Sequence, residues 1–154
     1  MISILILSCS SQRMKQDLTV LDLSNKNLKE IPRKALENSA RIESLILSNN
    51  EFTKFPNSVF AFENLKTLGL KNNDITDIPN EISKLKNLKT LDIRGTKIHE
   101  LPDSMKDLEN LRLVIMFEVD LTDNEKNKIK CVLPSNCEIM FSKKYREYPP
   151  YKCD

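Results

Sequence analysis

Glycine is nearly missing from this sequence, with only Gly69 and Gly95 in 154 residues. Phosphate-gripping loops need backbone that reaches positive φ or lets a ligand approach closely, so their glycine-rich signatures have no place here. Histidine is reduced to His99 and tryptophan is absent, which nearly removes the commonest general base and metal ligand. The cysteines Cys9, Cys131, Cys137 and Cys153 contain no C-x-x-C pair, and their scatter fits neither a zinc site nor a disulfide scaffold. The longest apolar run, Ile2 to Leu7, is far short of the roughly 20 residues that span a bilayer. A formal charge of +2 gives no polyanion or membrane-surface signal, and it argues against nucleic-acid binding. No G-x-x-x-x-G-K-[ST], G-x-S-x-G or H-E-x-x-H appears, so neither catalysis nor a cofactor is expected. His99 sits on a turn beside Glu100 and reads as a surface histidine.

What the chain does have is a repeat. LTVLDLSNKNLKEIP (18–32), IESLILSNNEFTKFP (42–56), LKTLGLKNNDITDIP (65–79) and LKTLDIRGTKIHELP (88–102) are in phase, and LRLVIMFEVDL (111–121) is a degenerate fifth copy. The steps are 24, 23, 23 and 23 residues, with apolar residues at positions 1, 4, 6, 11 and 14 and proline at 15 in the first four. Positions 4 and 6 are two apart, so Leu68 and Leu70 point to one side of a strand. A single such strand cannot bury its apolar side, whereas parallel stacking of successive units builds one continuous core. Further apolar pairs fall three residues apart: Val59 and Phe62, Ile82 and Leu85, Met105 and Leu108. Asparagine at position 9 suits the turn between units. Asn50 and Asn73 fit there, whereas Lys26, Thr96 and Val119 depart, so the ladder is expected to weaken toward both ends.

Over about 18–121 the pattern resembles the leucine-rich-repeat family in its short bacterial form. The resemblance implies an α/β fold: a horseshoe-shaped solenoid with a parallel sheet of five or six strands and a C-terminal cap of helix and strand. The expected organisation is a lipoprotein signal and tether at 1–16, repeats at 17–121, the cap at 122–142 and a tail at 143–154. DNEKNKIKCVL (123–133) reads as a helix capped by Thr122 or Asp123, stopped by Pro134. The alternation of Cys137, Ile139 and Phe141 predicts a last strand. The tail, with its tyrosines and Pro149-Pro150, is expected to be extended and partly mobile. Cys131 and Cys137 are candidates for a disulfide in the cap, with Cys153 able to replace either.

Ile6-Leu7-Ser8-Cys9 resembles a bacterial lipobox, which implies lipidation of Cys9 and a place in the bacterial cell envelope. The eight residues before Cys9 contain no basic residue, unlike a secretory leader. The competing reading is an apolar cap strand on a cytoplasmic scaffold or inhibitor.

The resemblance further implies a concave face made of positions 2, 3, 5, 7 and 8, on which such proteins commonly bind. Lys66, Lys89 and Arg112 at position 2, with Lys71 and Arg94 at position 7, form basic columns. Asp92 lies among them, and Leu113, Ile115 and Phe117 place apolar groups on the same side. The expected partner is a protein or glycan with an acidic surface. The apolar fifth strand is either an interface for self-association or is covered by the tail through Tyr145 or Tyr148.

Overall fold

The structure, a computed structural model, describes residues 19–151 and Cys153. Cys9 and the first position of the first repeat, Leu18, lie outside the described residues. Six strands form one parallel sheet in chain order: β1 (Val20–Asp22), β2 (Ser44–Ile46), β3 (Thr67–Gly69), β4 (Thr90–Asp92), β5 (Leu113–Ile115) and β6 (Glu138–Met140). The register follows the repeat. Position 4 supplies the column Leu21, Leu45, Leu68, Leu91, Val114 and Ile139, each aligned with the next.

Leu45, Leu68, Leu91, Val114 and Ile139 are fully buried, as are Leu47, Leu70, Ile93 and Met116 at position 6. This spine is the hydrophobic core, and a truncation such as Leu68→Ala is expected to cost about 2–5 kcal/mol. Burial weakens at the N-terminal end, where Leu21, Leu23 and Leu28 are partly buried, and again toward the C-terminal end at Val119 and Phe141.

The convex side is made of short turns. A one-turn helix α1 (Arg33–Leu36) and a 3₁₀ helix at Ser39–Arg41 follow β1. Single 3₁₀ helices at Asn57–Ala61, Asn80–Lys84 and Asp103–Asp107 follow β2, β3 and β4. Each repeat proline starts its turn: the carbonyls of Pro56, Pro79 and Pro102 accept from the N–H groups of Val59, Ile82 and Met105 at 2.8–3.0 Å. Apolar residues three apart suit this geometry, because i and i+3 eclipse in a 3₁₀ helix. Val59, Phe62, Ile82, Leu85, Met105 and Leu108 are accordingly buried.

Two asparagine ladders bind the units. Asn50 donates to the carbonyls of Leu23 and Leu47 at 2.9 Å each and accepts from the N–H groups of Lys26 and Leu28 at 3.0 Å each. Asn73 repeats this one unit on, donating to Leu47 and Leu70 and accepting from Phe52. At the same position Thr96 donates only within its own unit, to Ile93. The second ladder was not foreseen: Asn64, Asn87 and Asn110 each donate to a backbone carbonyl of the preceding unit, those of Ala40, Glu63 and Lys86, at 2.9–3.0 Å.

At the C-terminal end of the chain α2 (Asp123–Cys131) opens with a capping box. Thr122 accepts from the N–H of Glu125, and the Glu125 carboxylate accepts from the N–H of Thr122 at 2.7 Å. Ile129 and Leu133 are buried against the core. β6 follows where the sequence placed it, with Cys137 and Ile139 buried.

The tail is not loose. Glu147 and Ile139 exchange two backbone hydrogen bonds at 3.0 and 2.7 Å in an antiparallel bridge along the outer edge of β6. Lys130 pairs with Glu147 at 2.6 Å, and the Tyr151 hydroxyl lies 2.7 Å from the Cys137 carbonyl. The peptide bond Pro149-Pro150 is cis. Cys131 bonds to Cys153, and Cys137 stays a buried thiol. Burial pushes the Cys137 thiol up to about 12.

Candidate functional site on the concave face

Alternation along each strand puts positions 3 and 5 on the face opposite the core. There β2 to β4 present Ser44, Ile46, Thr67, Gly69, Thr90 and Asp92 as adjacent columns. Ile46 leans over Gly69: a Cβ added at Gly69 would meet Ile46 Cδ1 at 3.4 Å. The floor of the middle units is therefore flat, small and nearly neutral.

Of the basic columns, three members are engaged within the chain. Lys66 pairs with Glu43 of the preceding unit at 2.7 Å. Arg94 donates to Asp92 through Nε, 2.8 Å from Oδ1, and through Nη2 to Oδ2, and those bonds raise the pKa of the guanidinium further. Arg112 turns off the face: Nη1 donates to the carbonyls of Glu109 and Leu111 at 2.7 and 3.0 Å. The expected continuous basic stripe thus reduces to Lys71 and Lys89, for which no side-chain ion pair is found among the described residues. They stand at positions 7 and 2, on opposite sides of the floor.

Of the apolar groups in the fifth unit, Phe117 is covered while Leu113 and Ile115 stay partly exposed. Tyr145 and Tyr148 remain 73% and 62% exposed, so neither shields the strand. Phe117 is buried beneath two cations, Arg94 at 5.0 Å and Lys143 at 5.7 Å from the ring centre. Ile115 is aligned with Asp92 on one side and Met140 on the other. Both edges of β5 are thus occupied within the sheet.

Position 8 carries a feature that the sequence reading missed. Asn25, Asn49, Asn72, Gly95 and Glu118 all have φ between 53° and 64°, the left-handed region. The run of three asparagines and a glycine was the signal, since these residue types reach that region most readily. Glu118 is the exception. It faces Lys143 at 2.9 Å, and that bond, with Lys71 and Arg94 nearby, holds its carboxyl below the usual range.

His99 also has a partner in space, Glu125 at 3.1 Å. No group of three or more metal-ligating side chains is found among the described residues. No described helix is long and apolar enough to cross a membrane.

Two family descriptions match the chain: "Leucine rich repeat" over residues 16–75 and "Leucine-rich repeat region" over residues 58–131. Together they run through all the strands but the last. The chain is a leucine-rich-repeat protein.

Such proteins typically bind other proteins and are in general non-enzymatic. A solved leucine-rich-repeat protein from Leptospira interrogans is similar, at 29% identity and a TM-score of 0.71. The match covers 80% of this chain and 31% of that one. An internalin from Listeria monocytogenes shares the fold at 22% identity and a TM-score of 0.53, over 66% of this chain and 28% of that one. This chain thus spans less than a third of either relative's length. No curated protein matches the sequence.

Proposed function

We propose that this leucine-rich-repeat protein is a recognition module that binds a protein partner on its concave face while held at a bacterial cell envelope. The observation that carries the binding surface is the strand register. It sets a flat floor of Ser44, Ile46, Thr67, Gly69 and Thr90 between two lysines, Lys71 and Lys89, for which no side-chain ion pair is found among the described residues. Regular strands offer such an array without reordering on binding, and charges with no internal partner are the ones open to an acidic ligand.

A photo-crosslinking residue at Thr67 is expected to capture a partner that the same residue at Ser83, on the convex side, does not. The Lys71→Glu, Lys89→Glu double variant is expected to lose that adduct. Equal capture from Ser83, or an adduct indifferent to both charge reversals, rules out this face.

Two features support envelope anchoring. Cys9 completes a lipobox-like Ile6-Leu7-Ser8-Cys9, and acyl chains there would hold the protein on a membrane. The Cys131–Cys153 disulfide suits an oxidising compartment. Growth with radioactive fatty acid is expected to label the wild type and not Cys9→Ser. Unlabelled protein in the soluble fraction would instead favour an intracellular scaffold.

A further inference from the structure

Residues 142–151 and Cys153 fold back over the end of the sheet, and we propose that this segment is a reducible strap over a dimer-forming edge. When the Cys131–Cys153 bond is broken, β6 pairs antiparallel with β6 of a second copy.

The edge already accepts an antiparallel partner. Its outward backbone groups, the N–H and carbonyl of Ile139, are bonded to Glu147 of the strap. Two copies related by a two-fold axis necessarily bring the same strand together antiparallel. With the axis at Ile139, Glu138 of one copy lies opposite Met140 of the other, so no like charges meet. The side chains agree with this register, since Glu138 and Met140 are only partly buried while Ile139 belongs to the core. An uncovered strand edge is a standing template for such pairing. Here the strap covers it.

Apart from the disulfide, the strap is held by contacts that are individually small. They include the single two-bond bridge, the ion pairs Lys130–Glu147, Arg146–Glu138 and Lys143–Glu118, Lys143 over the Phe117 ring, and Tyr151, which packs on the core and sets its hydroxyl against the carbonyls of Cys137 and Glu147. Ion pairs at partly exposed sites are weak. The covalent link is the fastening that does not open thermally.

Reduction needs a dithiol. One thiolate attacks a sulfur of the Cys131–Cys153 bond to give a mixed disulfide, and the second thiol displaces the remaining protein thiol. The reductant leaves as a disulfide, its two electrons now on Cys131 and Cys153. Cys137, buried and far from ionising at neutral pH, does not enter the exchange. The resulting dimer joins two six-stranded sheets into one, with two recognition faces in a fixed relation.

Sedimentation velocity on the full chain, with and without dithiothreitol, tests this together with limited trypsin digestion. The oxidised protein is expected to sediment as one copy at every concentration and to resist cleavage after Lys143, Lys144 and Arg146. The reduced protein, and Cys153→Ser without reductant, is expected to be cleaved there and to shift to two copies as concentration rises. Met140→Glu puts two carboxylates opposite each other at the axis and is expected to abolish the shift while leaving the oxidised monomer unchanged. A reduced strap that stays protected, a freed strap with no shift in mass, or an undiminished dimer in Met140→Glu would each overturn the proposal.

Discussion

Asn73 and Thr96 occupy the same place in neighbouring units, and both are buried. Asn73 ties four backbone groups across two units, while Thr96 reaches one carbonyl of its own. Removing the amide leaves those backbone groups unpaired away from water, so Asn73→Ala is expected to lower stability by about 2–3 kcal/mol. Thr96→Val is expected to cost about 1 kcal/mol or less, and urea denaturation distinguishes the two. Gly95 gives a second test at this scale. Its φ is +59°, and an added Cβ would come 2.4 Å from Asn72 Oδ1. Gly95→Ala is therefore expected to cost at least about 1–2 kcal/mol. The position 9 ladder was readable from Asn50 and Asn73. The left-handed column one residue earlier was not, because asparagine at two adjacent positions hides which one turns the chain.

At the scale of the element, the sequence placed α2 over 123–133, and the helix ends at Cys131. Its start was readable because Thr122 and Glu125 form a capping box three residues apart. Its end was blurred, as Val132 and Leu133 continue the apolar face while Pro134 acts at a distance. The Thr122 bonds, and then His99, hold the Glu125 carboxyl at about 2, below the ordinary 4.5. A depressed folded-state value means this contribution to stability is complete above about pH 4.5 and fades as pH falls toward 2. Thr122→Ala is expected to return Glu125 toward its ordinary titration, visible by NMR, and to reduce the acid sensitivity of α2. The 3₁₀ turns were latent in the three-residue apolar spacing, which alone does not separate a 3₁₀ turn from one turn of α-helix. The basic stripe failed for a different reason. Column position fixes where a Cα stands, but Glu43, Asp92 and the carbonyls near Arg112 decide where a long cation ends.

Over the whole molecule, the repeat made the sheet, its order and its core legible before any coordinate, because the same spacing recurs in phase. The fastened tail was not legible, since Ile139 and Glu147 meet through backbone groups that no side-chain pattern announces. The two ends of the stack differ. β6 carries the tail along its outer edge, whereas Leu21 and Leu23 beneath β1 are only partly buried. The amide of Leu23 makes the same kind of bond, to Ile46, as that of Leu70 to Asp92. Hydrogen exchange is nevertheless expected to be at least about tenfold faster at Leu23, because stacked units open from their least-covered end.

The left-handed residue inside each unit also makes the middle joints alike. Asn49 and Asn72 have φ of 55° and 53°, and β2 meets β3 in the same alignment in which β3 meets β4. Residues 65–87 therefore behave as a repeatable cassette, and duplicating them should lengthen the arc by one strand. Excising them should bring Ser44–Ile46 against Thr90–Asp92 but put Thr96 where Asn73 had bonded Leu47 and Phe52, at a cost in stability.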